Sequence, residues 1–142
     1  MRWSLRVLTA AGLGIALVAG PAAAVPRGPI IGTDGPDTLT GTPRSDLIRG
    51  LGGADTISGR GRADTAYGGA GNDNIAGGPG ADRLFAGTGE NRISGGPGID
   101  MVQLERGGGV DRVNCGASFD EVFGAGPRDR LTGCERVSLR VR

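Results

Sequence analysis

Aspartate recurs every nine residues over most of the chain, and this period constrains the fold more than any other feature. The series has one gap, at Asn91, and it comprises Asp37, Asp46, Asp55, Asp64, Asp73, Asp82 and Asp100. Two residues after each of these positions lies a mostly apolar side chain: Leu39, Ile48, Ile57, Ala66, Ile75, Leu84, Ile93 and Val102. A turn rich in glycine precedes each aspartate. Eight units in one register indicate a repeat architecture.

The composition favours repeats over a conventional globular core. Glycine contributes 30 of 142 residues, roughly three times its usual share, and aromatic residues make up only 4% of the chain. Small units that each bury one side chain against their neighbours suit such a composition. Glycine excess alone is also typical of disordered chains, but the strict period argues against disorder.

Each nonapeptide divides into a turn and a short strand. The units from Gly32 to Gln103 are GTDGPDTLT, GTPRSDLIR, GLGGADTIS, GRGRADTAY, GGAGNDNIA, GGPGADRLF, AGTGENRIS and GGPGIDMVQ. Six positions suit a turn, since glycine accepts positive φ, and three suit a strand whose middle side chain points inward. Two units make one 18-residue coil, with strands stacked about 4.8 Å apart. We therefore predict an all-β fold, a parallel β-roll or β-solenoid.

Residues 1–24 are typical of a secretory signal peptide. Arg2 and Arg6 make the first segment positive, residues 7–20 form an uncharged apolar run, and Ala22–Ala24 gives a small-residue cleavage site. The run is short for a transmembrane helix, although an uncleaved membrane anchor stays open as the alternative. We expect export to an oxidising, calcium-rich exterior. Residues 25–31 would then form a short leader before the repeats at 32–103.

Residues 104–142 are a degenerate continuation of the repeats. The register breaks by two residues after Gln103. The aspartates resume at Asp111, Asp120 and Asp129, and the inward positions are Val113, Val122 and Leu131. The turns have lost most of their glycines, so we interpret 104–135 as closing repeats. Apolar and polar residues then alternate from Val137 to Val141, as in a terminal strand.

The two cysteines are predicted to staple this closing section. Cys115 and Cys134 are 19 residues apart, one more than a full coil. Residues one coil apart are stacked neighbours, within the Cα separation that a disulfide tolerates. We therefore predict a Cys115–Cys134 bridge, which contributes about 3 kcal/mol on the chain-entropy model.

In such a solenoid, residues 18 apart lie on the same side, so the aspartates form two columns. One column holds Asp37, Asp55, Asp73 and Asn91, and the other holds Asp46, Asp64, Asp82 and Asp100. Carboxylates about 5 Å apart repel by roughly 1 to 3 kcal/mol per pair. A cation between them would relieve this repulsion, and hard oxygen ligands select Ca²⁺. The alternative is that the aspartates only cap turns.

The turns Gly68–Asp73, Gly77–Asp82 and Gly95–Asp100 match GGxGxD in full and resemble the repeat of RTX-type (hemolysin-type) calcium-binding proteins. This resemblance implies a β-roll in which each Ca²⁺ lies between two turns one coil apart. The implied ligands are carboxylates and turn carbonyls: Asp37, Asp55, Asp64, Asp73, Asp82, Asp100, Gly50, Gly52, Gly69, Gly71, Gly78 and Gly80. The closing segments DRVNCG and GCERV also resemble the tails of small exported proteins of this group.

The implied sites are unequal, because the fourth turn position should be glycine. It is glycine throughout the first column, whereas the second column has Arg44 and Arg62 there. An arginine brings positive charge near the ion and costs about 1 kcal/mol if φ must be positive. We expect good sites at Asp37/Asp55, Asp55/Asp73 and Asp82/Asp100, a weaker one at Asp73/Asn91, a doubtful one at Asp64/Asp82 and a poor one at Asp46/Asp64.

Function is expected to be binding without catalysis. The chain has no His, the commonest general base, and shows no nucleophile–base pair or added enzyme domain. We expect an exported calcium-binding protein whose folding is coupled to the ion, with no nucleic-acid partner and membrane contact only through the signal peptide. The alternative is an extracellular adhesion or surface-interaction module in which calcium is only structural, with its partner unknown.

Two outward features have simple interpretations. Tyr67 and Phe85 lie one coil apart and are predicted to stack as a ladder, with a ligand platform as the alternative. The arginines are interpreted as a solvated face, with a site for an anionic polymer as the alternative.

Overall fold

The computed structural model describes residues 14–15, 28–105 and 109–139, and every regular element in these ranges is a strand. The strands are β1 (Gly14–Ile15), β2 (Ile30–Ile31), β3 (Asp37–Thr40), β4 (Leu47–Gly52), β5 (Thr56–Ser58), β6 (Thr65–Ala70), β7 (Asn74–Ala76), β8 (Arg83–Thr88), β9 (Arg92–Pro97), β10 (Met101–Gln103), β11 (Arg112–Ala117), β12 (Glu121–Ala125), β13 (Arg130–Thr132) and β14 (Arg136–Leu139). Apart from β1, the predicted signal peptide lies outside the described residues. None of the described segments forms a helix long and apolar enough to span a membrane.

The strands alternate between two parallel sheets, which confirms the predicted β-solenoid. The first sheet has the order β1-β3-β5-β7-β9-β11-β13, and the second has the order β14-β12-β10-β8-β6-β4-β2. Two successive strands, one from each sheet, make one coil, and the solenoid has about six coils. Each turn between the sheets therefore stacks on the turn one coil away.

The register follows the sequence period closely. Ile57 pairs with Leu39 on one side and Ile75 on the other, at the predicted 18-residue spacing. The spacing widens to 20 residues where Ile93 pairs with Val113, so the predicted two-residue break is accommodated inside one coil. It shortens to 15 residues where Val122 pairs with Val137, a contraction that the sequence did not predict.

A single file of apolar side chains fills the space between the two sheets. All of the predicted inward residues from Leu39 to Val122 are at most 2% exposed. Leu131 is partly buried against the same cluster, and Val137 in the last described strand is 39% exposed. The same core also contains Ala86, Leu104, Cys115 and Ala125.

The closing coils carry the predicted disulfide. Cys115 in β11 is bonded to Cys134, just beyond β13, with a Cα–Cα separation of 5.2 Å. On the outer face of the second sheet, Tyr67 and Phe85 stack with ring centroids 4.5 Å apart and planes inclined by 7°. The predicted aromatic ladder is therefore present.

Candidate metal sites between stacked turns

One oxygen of each aspartate binds its turn to the turn one coil earlier. The main-chain N–H of Asp55 donates to Oδ1 of Asp73 at 2.9 Å. The same bond, at 2.8–2.9 Å, joins Asp37 to Asp55, Asp46 to Asp64, Asp64 to Asp82, Asp73 to Asn91 and Asp82 to Asp100. Oδ1 of these residues therefore links neighbouring coils, which is a structural role separate from metal binding.

This ladder continues through the closing section. Asn91 donates to Asp111 and Asp100 donates to Asp120, both at 2.8 Å across the 20-residue spacing. In the last coil, Asp120 donates to Oε2 of Glu135 at 2.9 Å. Sequence reasoning missed Glu135, although the segment ERV at 135–137 repeats DRV at 111–113. The longer glutamate side chain reaches the bond across the shortened coil.

The second oxygen of most aspartates is buried and has no hydrogen-bond partner. This holds for Oδ2 of Asp55, Asp64, Asp73, Asp82, Asp100 and Asp120. A buried carboxylate oxygen without a partner is strongly unfavourable. An arrangement repeated in six turns therefore calls for a cation.

These oxygens face the turn one coil later. A Cβ added to Gly59 would overlap Oδ2 of Asp64 and would lie 2.5 Å from the carbonyl oxygen of Gly77. Gly50, Gly68, Gly77 and Gly95 have the same two neighbours, which are Oδ2 of the aspartate in their own turn and the first carbonyl oxygen of the next turn. Glycine at the first turn position thus lets a carboxylate oxygen and a carbonyl oxygen, the donor types that Ca²⁺ prefers, lie close together. The carbonyls of Gly77 and Gly95 also accept a main-chain N–H, from Arg60 and Gly78.

Four of the six predicted glycine ligands also face the turn one coil later. A Cβ on Gly87 would overlap the carbonyl oxygen of Gly69, and one on Gly89 would overlap that of Gly71. Gly78 and Gly80 face the following turn in the same way, toward Gly96 and Gly98. The carbonyls of the second and fourth positions therefore point along the solenoid, as does Oδ2 of the aspartate in their own turn.

Gly50 and Gly52 are placed differently. Gly50 lies against Oδ2 of Asp55, so a Cβ added there would overlap that oxygen. Gly52 occupies the third turn position, where the carbonyls of the next two turns, at Ala70 and Thr88, already accept main-chain hydrogen bonds. The ligand role of Gly52 itself stays a prediction.

The first coil departs from the pattern. Oδ2 of Asp37 accepts bonds from the N–H (2.5 Å) and hydroxyl (2.9 Å) of Thr33. Oδ2 of Asp46 accepts the equivalent bonds from Thr42 at 2.6 and 2.9 Å. Oδ2 of Asp37 is therefore hydrogen-bonded within its own turn, so Asp37 lacks the unpartnered buried Oδ2 of the later turns. Threonine at the second turn position, where the full matches have glycine, was the available signal. The good Asp37/Asp55 pair stays a prediction.

Arginines strain one turn of the second column. Arg62 has φ +83°, as expected for the fourth position, and Arg60 at the second position has φ +84°. Sequence reasoning missed Arg60. Arg44, at the same position of the first coil, does not have the expected positive φ. Its turn has a different shape, in which the N–H of Arg44 donates to the Thr42 hydroxyl at 3.2 Å. The doubtful site at Asp64 is therefore strained twice.

The turn that ends at Asn91 provides its own donor. Oδ1 of Asn91 keeps the ladder bond, while Nδ2 points back to the carbonyl of Gly87 at 3.4 Å. Ala86, buried at the first position, places a methyl group where other turns have glycine. Oδ2 of each aspartate faces the following coil, so asparagine at position 91 affects the space between its turn and the next one. The space between Asp73 and Asn91 keeps Oδ2 of Asp73.

Burial also raises the pKa of several of these carboxylates, so that they ionise less readily. It raises the pKa of Asp82 and of Asp100 to about 6, against the opposing effect of the main-chain N–H that each accepts. Burial likewise raises the pKa of Asp55, Asp64, Asp73 and Asp111. A positive ion beside these groups would reverse this effect.

Side chains alone do not complete a site. In the described ranges, no three His, Cys, Asp or Glu side chains converge on one point. Each space between turns offers one unpartnered carboxylate oxygen, so most of the ligands must be main-chain carbonyls. Ca²⁺ accepts such mixed oxygen sets.

Comparison with known families agrees with this geometry. The family model described as RTX calcium-binding nonapeptide repeat (4 copies) matches residues 31–66 and again residues 67–102. The chain belongs to the RTX calcium-binding nonapeptide-repeat family. RTX repeats are calcium-binding and typical of exported proteins, so the predicted family is confirmed. No curated protein and no solved structure matches the chain.

The matched RTX segments end at the register break. Residue 102 is the inward residue of the last regular unit, and the disulfide-bonded coils follow it. The closing section thus continues the same hydrogen-bond ladder beyond the residues that the family model recognises.

Proposed function

We propose that this RTX chain is an exported protein that binds Ca²⁺ between stacked turns and whose folding is coupled to the ion. The observation that carries this proposal is the row of buried, unpartnered Oδ2 atoms, which in five turns lie beside a carbonyl of the next turn: those of Asp55, Asp64, Asp73, Asp82 and Asp100. The disulfide supports export, because such bonds persist in oxidising compartments.

The sites differ in quality by their own residues. The best oxygen sets combine Asp73 with Gly69 and Gly71, and Asp82 with Gly78 and Gly80. Asp55 and Asp100 have the same unpartnered oxygen. The Asp55 turn is strained at Leu51, with φ +81°, and the Asp64 turn is strained at both Arg60 and Arg62. Asp37 and Asp46 are excluded from the proposal, because Thr33 and Thr42 donate hydrogen bonds to their Oδ2 atoms.

Coupling to folding follows from charge burial. In the folded state several carboxylates lie in two buried columns, and a bound cation supplies the charge that neutralises them. A ligand that binds only the folded state stabilises it by mass action, and the unfolded chain has no preformed oxygen set. The ion-free chain should therefore be much less stable than the loaded one.

Calorimetric titration with Ca²⁺ and far-UV circular dichroism with and without a chelator test this function. Asp73→Asn and Asp82→Asn should each lower the stoichiometry, because each replaces the unpartnered oxygen and keeps the Oδ1 acceptor. Asp34→Asn is the matched control, since Asp34 is an exposed turn residue. A spectrum insensitive to Ca²⁺, or equal stoichiometry in all variants, would refute the proposal.

A surface-interaction role with purely structural calcium is the second candidate. It is favoured by three exposed arginines that lie next to one another on neighbouring strands: Arg92, Arg112 and Arg130. Neither role requires catalysis, and we propose none for this chain. The two roles separate on whether a partner binds the outer faces of the solenoid.

A further inference from the structure

Three arginines stack in register on the outer face of the first sheet. Arg112 in β11 pairs with Arg92 in β9 on one side and with Arg130 in β13 on the other. All three side chains are exposed. Neighbouring strands lie about 4.8 Å apart, so this arginine ladder presents one positive charge per strand along a straight line.

Nothing in the described residues neutralises this arginine ladder. Like charges opposite each other on neighbouring strands are destabilising. Across the described ranges the one salt bridge is Arg136 to Glu121, at 3.3 Å, on the second sheet. Arg49 on that sheet lies 5.5 Å from the centre of the Tyr67 ring. The ladder arginines have neither kind of partner, although they repel one another.

The fold holds the arginine ladder rigidly. The Cys115–Cys134 bond ties β11 to the segment just after β13, which fixes Arg112 relative to Arg130. β9 and β11 pair over five residue pairs, which fixes Arg92 relative to Arg112. Because the strand positions are fixed, binding has to order only the arginine side chains and not the backbone that carries them.

The rest of this face is polar and lacks aromatic side chains. Ser94, Asn114 and Thr132 form a second exposed column beside the arginine ladder, also in register. The outward residues of β3, β5 and β7 are Thr38, Thr40, Thr56, Ser58, Asn74 and Ala76. Single-stranded nucleic acids are bound mainly by stacking on aromatic side chains, so this face is unsuited to them.

We propose that the arginine ladder binds a linear acidic polysaccharide with one carboxylate per sugar. The guanidinium group is a planar fork that matches a carboxylate through two hydrogen bonds. The carboxylates that face the sheet along an extended sugar chain then meet arginines along the straight ladder. The sugar hydroxyls then meet the column of Ser94, Asn114 and Thr132. This binding goes beyond the calcium function and does not rest on it.

The test uses the full chain loaded with Ca²⁺ and fluorescent oligogalacturonates too short to gel with calcium. Anisotropy should show binding that weakens with salt, as expected for exposed charges. The triple variant Arg92→Gln/Arg112→Gln/Arg130→Gln should bind about tenfold or more weakly. The matched control is Arg49→Gln/Arg83→Gln/Arg136→Gln, which removes the same charge from the second sheet and should keep wild-type affinity.

Several outcomes would overturn the proposal: no binding by the wild-type chain, equal losses in both triple variants, or equal binding of the uncharged methyl-ester oligomer. Tighter binding of a single-stranded oligonucleotide or of polyphosphate would also overturn it. Circular dichroism must show that both triple variants fold. If the ladder variant does not fold, Arg112→Gln alone, with a neighbour on each side, should still weaken binding about threefold, and an unchanged affinity would count against the proposal.

Discussion

Asp100 uses its two carboxylate oxygens for different purposes. Oδ1 accepts the main-chain N–H of Asp82 at 2.9 Å, whereas the buried Oδ2 has no hydrogen-bond partner. The first oxygen builds the solenoid, and the second is available to a ligand. The same division in most turns explains why one residue type at one position can serve both folding and binding.

Substitutions at Asp100 should separate these two roles. Asp100→Asn keeps an oxygen for the Asp82 N–H and removes the buried charge, so the ion-free protein should become more stable while calcium binding weakens. Asp100→Ala also removes the acceptor and should cost about 1–3 kcal/mol, the penalty for an unsatisfied buried N–H. Urea unfolding in chelator, combined with calcium titration, measures both effects. If the two variants behave alike in chelator, Oδ1 does not have the assigned role.

The ion-free protein should become more stable as the pH falls below 7. Burial raises the folded-state pKa of Asp82 and Asp100 to about 6, above their ordinary value of 3.8. Between these values the folded state binds more protons than the unfolded chain, so its stability grows as pH falls through about 6 and levels off below about 3.8. Thermal melts in chelator from pH 7.5 to pH 4.5 should show a rising Tm, because most other groups keep their usual charge over this range.

With Ca²⁺ present the pH dependence should have the opposite sign. Protons compete with the ion for the same carboxylates, so calcium affinity should fall below about pH 6. A calcium affinity that does not change between pH 7.5 and pH 5 would contradict the assignment of these carboxylates as ligands.

Much of this arrangement could be predicted from the sequence, because the period fixes it. The inward residues, the two columns, the two-residue break and the Cys115–Cys134 bond all follow from counting along the chain. What could not be predicted depends on local side-chain geometry. Thr33 can bond to Asp37 only because its turn differs from the others, and Glu135 completes a coil shorter than the period.

The arginines show the same limit. Counting along the chain places Arg62 and Arg44 at equivalent positions, yet only Arg62 adopts positive φ. The difference arises from the Thr42 hydroxyl, which accepts the N–H of Arg44. A period locates a residue within its repeat, but the shape of each turn depends on the contacts of its neighbours.

This difference gives a matched pair of variants. Arg62→Gly should stabilise the protein by about 1 kcal/mol, because glycine relieves the left-handed backbone, and should strengthen calcium binding in the Asp64 turn. Arg44→Gly should be destabilising by about 0.5–1 kcal/mol, since it relieves no strain and raises the conformational entropy of the unfolded chain. Chemical unfolding measures the change in stability of each variant. Changes of the same sign in both variants would contradict the assigned turn shapes.

Loss of the disulfide should loosen the closing coils and spare the central ones. The double variant Cys115→Ser/Cys134→Ser should lose about 3 kcal/mol of stability. Hydrogen exchange should quicken in β11 and β13 and stay slow in β5 to β8. Wild-type protein treated with a reductant is the control, and uniform loss of protection along the chain would show that the solenoid unfolds as one unit.

The turn that ends at Asn91 should be repairable. Asn91→Asp would place an unpartnered Oδ2 where Nδ2 now bonds the Gly87 carbonyl, and Ala86→Gly would remove the methyl group beside it. The double variant should gain calcium stoichiometry, because it restores the oxygen set of the neighbouring turns. Ala86→Gly alone is the control and should gain nothing, since the amide still provides the donor. If calorimetry finds the same number of ions in the double variant as in the wild-type chain, Asn91 does not limit binding at this turn.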